Sequence, residues 1–490
     1  MSQVTSLNLK DPSLLRSQAY INGIWVGASG TFDVTNPATS ALVGTVPNLG
    51  AEQAQAAIDA AQTAFPLWAA KTGKERAAIM RKWFDLMVAN ADDLAVLMTV
   101  EQGKPLAEAK GEVIYGASFI EWFAEEAKRV SGDVMSSTWT DKRMVVLKQP
   151  IGVCASITPW NFPIAMITRK VAPAMAAGCS IVIKPAEQTP LSALAMAELA
   201  HRAGVPAGVI NVITADSERS VEVGKVLCDS PVVRHLSFTG STPVGRILMR
   251  QCASTVKKLA LELGGHAPFI VFDDADLDAA VEGALLSKFR NAGQTCVCTN
   301  RFYAHESIYD AFVEKLAAGA KKIQVGNGLD AGVNQGPMID EQAVAKVEEH
   351  VADALSKGAT VLAGGKKHAA GSLFYEPTVL SNVTESMQIM SEETFGPVAA
   401  VVKFKSEAEV IAAANNTDFG LASYFYSRDI GRVWRVAEQL EYGMVGINTG
   451  LISNEVAPFG GVKQSGLGRE GSVYGMDEYL EMKYLCMGGI

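Results

Sequence analysis

The chain has 490 residues, of which 48% are hydrophobic and 19% are charged. At about 150 residues per domain, this length predicts roughly three domains in a large globular protein. The 43 Lys and Arg residues are outnumbered by 52 Asp and Glu residues, which gives a net charge of −9. An acidic balance argues against nucleic acid or an anionic membrane as the main partner.

The cysteines and the first residues of the chain bear on its compartment. The seven cysteines are odd in number and spread along the sequence, which is not the pattern of a disulfide framework. The first 20 residues lack the apolar stretch of a signal peptide, and no run of about 18 apolar residues occurs in the sequence. We therefore expect a cytoplasmic protein that neither spans nor crosses a membrane.

The first strong periodic pattern is helical. Residues 51–127 are rich in Ala and carry apolar side chains at helical spacing, for example Ile79, Trp83, Leu86 and Met87. This spacing predicts several amphipathic helices, placed before any strong strand.

Between Ile151 and Leu263, short β-rich runs alternate with helical stretches. The β-rich runs are IGVCASITP, CSIVIKP, GVINVIT and RHLSFTG, and PLSALAMAELAHRAG is one of the helical stretches. Short apolar strands between helices are typical of a parallel sheet covered on both faces. Ligands of such sheets bind beyond the carboxyl ends of the strands, so the loops after these strands are the expected location of a site.

A second alternating series, from Ala267 to about Ile447, predicts another α/β domain. Its strand candidates are APFIVF, RFYAH, ATVLAGG, PVAAVVKF and GMVGIN. The stretch TDKRMVVLKQP and the tail YLEMKYLCMGGI resemble β-rich arms, which could pair with each other or with another subunit. The alternative interpretation is two ordinary edge strands.

The loop after the first strand of the parallel series reads TPWNFP. Its two prolines restrict the backbone, and Asn161 presents an amide with two N–H donors. An amide held on a stiff loop can stabilise an oxyanion. A polar turn residue that satisfies its own backbone is the other interpretation.

The next strand ends in Lys184, with Glu187 three residues later. A Lys and a Glu at a strand end can hydrogen-bond the hydroxyls of a ribose. A surface ion pair is the simpler alternative.

The loop FTGSTPVG lies between a predicted strand and a predicted helix, where backbone N–H groups and the helix dipole can hold phosphate. It is not GxGxxG, and Arg246 and Ile247 stand where a P-loop needs Lys and Ser or Thr. A dinucleotide pyrophosphate is therefore still allowed, whereas a P-loop nucleotide site is not.

Glu262, in LELGGHAP, has an otherwise apolar setting. Burial would raise the pKa of this carboxyl, which could then act as a base near neutral pH. The alternative is a glutamate paired with a cation such as Lys258.

Cys296 and Cys298 lie in the polar stretch FRNAGQTCVCTN. A structural zinc site needs about four ligands, and no further Cys or His is near, so no metal is expected. A nucleophilic cysteine is the better functional interpretation, with an inert thiol as the alternative.

Seven motifs, taken in order, resemble those of the aldehyde dehydrogenase superfamily. They are PWNFP, KPAEQTP, FTGSTPVG, LELGG, GQTCVC, EETFGPV and PFGGVKQSGLGRE, and the resemblance runs from about Tyr20 to Cys486. It implies an α/β fold with two doubly wound α/β domains and a small β oligomerisation arm, in a homo-oligomer that is a dimer or a tetramer. The implied limits are 1–131 and 152–262 for a dinucleotide-binding domain, 263–457 for a catalytic domain, and 132–151 and 475–490 for the arm.

The resemblance also implies roles for the candidate catalytic residues. Cys296 would attack an aldehyde, and Asn161 with the Cys296 backbone N–H would stabilise the oxyanion. After hydride transfer to the cofactor, Glu262 would activate the water that hydrolyses the thioester. Lys170 and Glu470 match a pair that relays protons from the base.

The implied cofactor is NAD, with NADP possible. Glu187 should accept hydrogen bonds from an unmodified ribose and repel a 2′-phosphate, which favours NAD. The residues that the resemblance places at the cofactor are Trp160, Lys184, Glu187, Gly240, Ser241, Leu263, Glu393 and Phe395.

Within the family, several segments are similar to succinate-semialdehyde dehydrogenases. Arg169, Arg290 and Ser453 would bind the distal carboxylate of the substrate, and Arg can do so through two parallel charge-assisted bonds. Either Arg could instead form a structural ion pair. Glutarate semialdehyde is one methylene longer, a difference worth only about 1–3 kcal/mol, so use of both substrates is expected.

Two further hypotheses stand beside this one. A family member can become a non-catalytic binding or structural protein, although the presence of both Cys296 and Glu262 argues against that. The spacing of Cys296 and Cys298 would also allow oxidation to link the two sulfurs and switch the enzyme off reversibly.

Overall fold

The computed structural model describes residues 7–489. The strands in this range form sheets of eight, seven, three and two strands. The predictions for residues 1–6 and Ile490, at the ends of the predicted first domain and arm, lie outside the described residues. No helix between residues 7 and 489 combines the length and the apolar character that crossing a membrane requires.

Four short strands precede the helical layer, and the sequence analysis missed them. Each has only three to six residues, too few for a clear alternation of apolar and polar side chains. They are β1 (Ala19–Ile21), β2 (Ile24–Val26), β3 (Thr31–Thr35) and β4 (Leu42–Pro47). β3 and β4 form the two-stranded sheet.

The predicted helical layer is confirmed. Its helices are α1 (Ala51–Ala69), α2 (Gly73–Ala89), α3 (Ala91–Gln102) and α4 (Leu106–Glu126). Helix α4 matters most for the site, because Glu108, Glu112 and Tyr115 recur on one of its faces at helical spacing and line a common cavity.

The first α/β series folds into the eight-stranded sheet. After the arm strands β5 (Asp133–Met135) and β6 (Lys142–Pro150), its elements are β7 (Val153–Ile157), α5 (Ala165–Ala177), β8 (Ser180–Lys184), α6 (Pro190–Ala203), β9 (Ile210–Val212), α7 (Ser217–Asp229), β10 (Val233–Thr239), α8 (Thr242–Cys252) and β11 (Lys258–Glu262). Strands β11, β10, β7, β8 and β9 are neighbours in that order and parallel. All four predicted strands are confirmed.

Helices cover both faces of this sheet. Along β8, Ile181 and Ile183 belong to one apolar core and Val182 belongs to the other. The alternation explains why these strands have continuous apolar sequences, since both faces are buried. The hairpin of β1 and β2 pairs with β9 in antiparallel fashion and extends the sheet at that edge.

The second series forms the seven-stranded sheet. Its elements are β12 (Ala267–Val271), α9 (Leu277–Phe289), β13 (Thr299–His305), α10 (Tyr309–Ala320), α11 (Glu341–Ser356), β14 (Thr360–Ala363), β15 (Thr378–Ser381), β16 (Val398–Phe404), α12 (Glu407–Asn415), β17 (Ala422–Tyr426), α13 (Ile430–Gln439) and β18 (Met444–Ile447). The strand order is β14-β15-β16-β13-β12-β17-β18. The five predicted strands are present, and β15 and β17 were missed. The fold is therefore α/β, with two doubly wound units.

The chain then returns to the first unit. Strand β19 (Gly466–Leu467) pairs with β11 at the edge of the eight-stranded sheet, and β20 (Leu480–Gly488) follows. β19 lies beyond residue 457 and outside the predicted arm, in a stretch that the predicted domain limits leave unassigned. Those limits stay a prediction.

The two predicted β-rich arms pair with each other. β20 runs antiparallel to β6 along its whole length, and β5 completes a three-stranded sheet. The sheet stands apart from the two large ones and exposes apolar side chains, among them Met482 (76% exposed) and Tyr484 (54% exposed). Exposed apolar groups on an isolated sheet are typical of a surface covered by another subunit.

The arm generates a prediction about assembly. Replacing both Met482 and Tyr484 by Asp should lower the mass of the particle measured by light scattering, because charges would have to be desolvated in a subunit contact. Leu67→Asp, at a side chain that is 75% exposed on α1, is the control and should leave the mass unchanged. An unchanged mass in the double variant would remove the arm from the assembly contact.

Candidate active site

The candidate residues of the first series gather at one edge of the sheet. Strands β7, β8, β10 and β11 are parallel, so the loops after their carboxyl ends lie side by side. These loops carry Trp160 and Asn161, Lys184 and Glu187, Gly240 and Ser241, and Glu262 with Leu263. The structure therefore brings these residues together where the sequence predicts the site, beyond the carboxyl ends of the strands.

The loop that carries Cys296 reaches this edge from the second unit. Asn291 and Ala292 have φ of 51° and 54°, and Gly293 has φ of 73°, so three successive left-handed residues turn the chain after α9. A Cβ on Gly265 would lie 2.3 Å from the carbonyl oxygen of Cys296. Glycine at position 265 therefore allows the loop to pack against the backbone that follows β11.

Burial has the largest effect on the pKa of the Cys296 thiol. It raises the pKa of this thiol to about 12, and the charge of Arg169 acts in the opposite direction without cancelling the effect. The thiolate is the nucleophilic form of a cysteine, yet this thiol is protonated near neutral pH in the chain alone. A base must therefore take the proton as the sulfur attacks.

Glu262, at the end of β11, is a buried carboxylate that suits this task. Among residues 7–489, neither of its carboxylate oxygens has a hydrogen-bond partner. Burial, reinforced by the nearby charge of Glu470, raises its pKa well above the ordinary value. The alternative pairing with Lys258 is wrong, because Lys258 instead lies 3.9 Å from the carboxylate of Glu478.

The side chain of Asn161 is fixed beside the Cys296 loop. Its Nδ2 donates to the carbonyl of Gln294 at 3.0 Å, and its Oδ1 accepts from the N–H of Phe162 at 3.1 Å. A turn residue that satisfies its own backbone would therefore explain the contact of the Asn161 side-chain oxygen, but not the contact of its nitrogen. Since an amide carries two N–H donors, one of them is left for an oxyanion formed at Cys296.

The buried ion pair of Lys104 and Glu112, which was not predicted from the sequence, contacts the backbone of the loop that carries Asn161. The side chains of Lys104 and Glu112 are 1% and 0% exposed. The Lys104 ammonium also donates to the Asn161 carbonyl at 2.7 Å, and Glu112 accepts from the N–H groups of Ile164 and Ala165 at 3.0 and 3.2 Å. In the sequence, Lys104 and Glu112 look like the solvated charged residues of α3 and α4, so no local pattern indicates that they are buried.

Arg169 and Lys170 share one partner, Glu470. The Arg169 Nε lies 2.8 Å from Glu470 Oε2, and the guanidinium lies 3.8 Å over the ring of Phe459. Lys170 contacts the other oxygen of Glu470 and donates to Thr239 Oγ1 at 2.6 Å. Arg169 is thus in the ion pair considered as an alternative to substrate binding, although its Nη2 has no hydrogen-bond partner among the described residues.

Arg290 and Ser453 instead line a cavity of about 540 Å³. The Arg290 guanidinium lies 4.7 Å over the ring of Phe162, and within residues 7–489 no carboxylate approaches it to 4 Å. The charge of Arg290 acts on the Glu108 carboxyl in the same cavity, but no ion pair among the described residues occupies the guanidinium, which can therefore contact a ligand. The other lining residues are Glu108, Gly111, Glu112, Tyr115, Phe162, Leu285, Leu286, Phe289, Ile323, Asn334 and Leu451.

Glu393 lies near Gly264 and Gly265, the two glycines that follow Leu263. It accepts from the N–H of Gly265 at 3.1 Å, and a Cβ on Gly264 would lie 2.9 Å from its Oε2. Burial raises the pKa of Glu393 to about 7. Two residues later, Phe395 has a φ of 52° and packs its ring edge-to-face against Trp160 at 5.8 Å.

The remaining candidates border the first turn of α8. Ser241 is the exposed N-cap of this helix and Gly240 donates to the Glu262 carbonyl at 3.0 Å, so the helix N-terminus faces solvent. Lys184 Nζ lies 3.6 Å from Glu187, but the lysine is buried, unlike a surface ion pair. An open helix N-terminus beside a lysine and a carboxylate fits the phosphates and ribose of a dinucleotide.

Cys298 is held away from solvent. Its Sγ donates to the Gly293 carbonyl at 3.0 Å, and Lys288 Nζ lies 3.7 Å away. The link between Cys296 and Cys298 under oxidation stays a prediction.

The chain is similar to known proteins of one family. The model of the Aldehyde dehydrogenase family matches residues 25–485, and the chain belongs to that family. It is therefore an oxidoreductase of the aldehyde dehydrogenase type.

Three curated relatives are similar over nearly their whole length. The chain is 64% identical to glutarate-semialdehyde dehydrogenase of Pseudomonas aeruginosa, over 99% of this chain and 100% of the relative. It is 63% identical to 3-sulfolactaldehyde dehydrogenase of Pseudomonas putida, over 99% of each chain. It is also 63% identical to the NADP(+) succinate-semialdehyde dehydrogenase of Escherichia coli, over 98% of this chain and 100% of the relative.

A solved structure is similar as well. The succinate-semialdehyde dehydrogenase of Burkholderia pseudomallei superposes with a TM-score of 0.97 at 65% identity, covering 98% of this chain and 100% of that one. The fold and its two α/β units are therefore those of the family.

The buried pair behind Asn161 gives a prediction about stability. Lys104→Met should lower the free energy of unfolding by about 3–5 kcal/mol, because Glu112 would be left as an unpaired buried charge. Lys110→Met removes an exposed ion pair with Asp92 and should cost less than about 1 kcal/mol. Urea unfolding followed by circular dichroism measures both; equal losses would contradict the difference in burial.

The raised pKa of Glu262 gives a prediction about pH. A base with an elevated pKa gains its active form only as the pH rises, so hydrolysis of the acylated enzyme should accelerate from acidic to alkaline pH. Glu262→Gln should slow it about a hundredfold or more and remove that dependence. Stopped-flow absorbance of reduced cofactor, followed by mass spectrometry of the trapped adduct, measures this. An unchanged pH profile in the variant would exclude Glu262 as the base.

Proposed function

We propose that this protein oxidises succinate semialdehyde to succinate with NAD⁺, and that glutarate semialdehyde is the alternative substrate. The observation that carries the proposal is the available charge of Arg290 beside Ser453 in the cavity under α4. A guanidinium can hold a carboxylate through two parallel bonds, and the serine hydroxyl adds a third. Relatives at 63–64% identity carry the names of enzymes for both semialdehydes.

Arg169 contributes in a different way from Arg290. Its charge is shared with Glu470, so it serves the substrate mainly through its free Nη2 and through its influence on the Cys296 thiol. We propose that Arg290 and Ser453 hold the distal carboxylate and that Arg169 assists them from the side of Glu470.

The chain's own residues support each step of aldehyde oxidation. The Cys296 sulfur attacks the aldehyde carbon, its proton passes to Glu262, and Asn161 Nδ2 with the Cys296 N–H stabilises the oxyanion. Once the substrate carbon has lost its hydride, a thioester remains on Cys296. Glu262 must first release the proton taken from the thiol, and it then deprotonates the water that hydrolyses the thioester. Glu470 and Lys170, whose charges act on Glu262, are the proposed route by which each proton leaves. Despite the burial of Glu470, the charges of Lys170 and Arg169 lower its pKa, so a proton passes through this pair without staying on the carboxylate.

A nicotinamide cofactor, when bound, accepts the hydride from the substrate carbon. Ser241 and the N–H groups of the first turn of α8 would hold its phosphates, and Lys184 and Glu187 would hold a ribose. Leu263, Glu393, Phe395 and Trp160 would surround the nicotinamide end. Glu187 favours NAD, because its carboxylate repels a 2′-phosphate, although one relative is named for NADP(+).

A substrate series tests the proposed function. Succinate semialdehyde and glutarate semialdehyde should both exceed uncharged butanal in kcat/KM by about tenfold or more, because hydrogen bonds to a charged group contribute about 1.5–3 kcal/mol. Arg290→Gln should lower kcat/KM for both semialdehydes and spare butanal. If butanal is as good a substrate as either semialdehyde in the wild-type protein, the proposal is wrong.

Cofactor preference has its own test. Glu187→Ser should raise kcat/KM with NADP⁺ relative to NAD⁺ by about tenfold, because a like charge facing the 2′-phosphate is removed. Glu314→Ser, at an exposed site on α10, is the matched control and should leave the ratio unchanged. A wild-type preference for NADP⁺ that Glu187→Ser does not alter would contradict the role given to Glu187.

A further inference from the structure

Tyr115 lies in the cavity and has no part in the chemistry described above. It is on α4, one turn beyond Glu112, and lines the cavity with Arg290 and Ser453. Its hydroxyl oxygen is buried, and no hydrogen-bond partner for it exists among the described residues. Buried hydroxyls without a partner are uncommon in folded proteins, since each is costly to desolvate, and one that lines a cavity points to a ligand.

The ring of Tyr115 is held firmly. It packs edge-to-face on Phe119 with the ring centroids 5.1 Å apart. The single O–H of Ser118 has two acceptors within reach, the Tyr115 carbonyl at 2.8 Å and Glu455 Oε2 at 3.2 Å, and the second connects α4 with the segment that carries Ser453. The hydroxyl therefore has a fixed position relative to Ser453, as a binding group requires.

The charges near Tyr115 define what the hydroxyl can bind. Burial raises the pKa of Tyr115, so the phenol stays protonated and able to donate near neutral pH. The groups whose charges act on it include Arg169, Arg290 and Cys296. The charges of Arg169 and Arg290 lower the pKa of Tyr115, whereas those of Glu470 and Cys296 raise it. The hydroxyl shares its cavity with Arg290, whose positive charge attracts an anionic group.

We propose that the Tyr115 hydroxyl donates a hydrogen bond to the anionic tail of the substrate and, with Arg290 and Ser453, determines the preference for an aldehyde bearing a carboxylate. The inference rests on the proposed function and extends it. A carboxylate has about four acceptor positions, of which Arg290 fills two and Ser453 one. The Tyr115 hydroxyl and the free Nη2 of Arg169 are the donors for the remaining side of the carboxylate. An uncharged aldehyde of equal length leaves the hydroxyl without a partner, so Tyr115 acts against such substrates as well as for charged ones.

The variant Tyr115→Phe removes the hydroxyl and little else. It should lower kcat/KM for succinate semialdehyde about ten- to a hundredfold, mainly through KM, and raise the inhibition constant of succinate by a similar factor. With butanal, kcat/KM should stay unchanged or rise, because the variant no longer leaves a hydroxyl without a partner when an uncharged aldehyde binds. Because a buried hydroxyl without a partner is removed, the urea midpoint should stay unchanged or rise.

Tyr474→Phe, at an exposed tyrosine, is the control and should behave as wild type with both aldehydes. Equal losses of Tyr115→Phe on succinate semialdehyde and butanal would assign the hydroxyl to structure or chemistry and overturn the proposal, as would the absence of any loss on the semialdehyde. The ratio of the two substrates in the wild-type protein tests the proposed function separately, since it does not involve the variant.

Discussion

A connection of only four residues joins the two large sheets, and the site depends on it. Strand β11 ends at Glu262 and β12 begins at Ala267. Within this connection a Cβ on Gly265 would meet the Cys296 carbonyl oxygen, so the loop from the second unit packs directly against the backbone that follows the base. The thiol and the carboxylate are thereby held together by covalent geometry and close packing rather than by a contact between their side chains.

Close packing of the two units also buries Glu262 and Cys296, and the charged residues around them must then be paired. Glu262 has no hydrogen-bond partner among residues 7–489, and burial raises the pKa values of both Glu262 and Cys296. The ionised residues around them are paired: Lys104 with Glu112 behind the oxyanion amide, and Arg169 and Lys170 with Glu470. These pairs satisfy the structural charges, whereas Glu262, Tyr115 and the Nη2 of Arg169 are among the buried groups that have no partner within residues 7–489.

Much of the fold was predictable because its signals are local. Continuous apolar runs marked β7, β8, β9 and β10, and helical periodicity marked the layer from α1 to α4. The short strands β1 to β4, β15 and β17 were missed. Strands of this length are found only when a continuous apolar run marks them, as in β7, β8 and β9. The site motifs were found because they follow strand ends, where parallel topology brings loops together.

The order of motifs along the chain was enough to indicate the family, because the motifs depend on residue type and local spacing. The same motifs predict Cys296 as the nucleophile and Glu262 as the base. Which charges remain free was settled by packing between distant segments. Arg169 and Arg290 look equivalent in the sequence, but Glu470, returning with the segment beside β19, pairs with one and leaves the other open. The burial of Glu112 and the Tyr115 hydroxyl on α4, and of Lys104 just before this helix, likewise results from the packing of α4 against the cavity. Burial and pairing are properties of neighbours in space, and no local pattern records them.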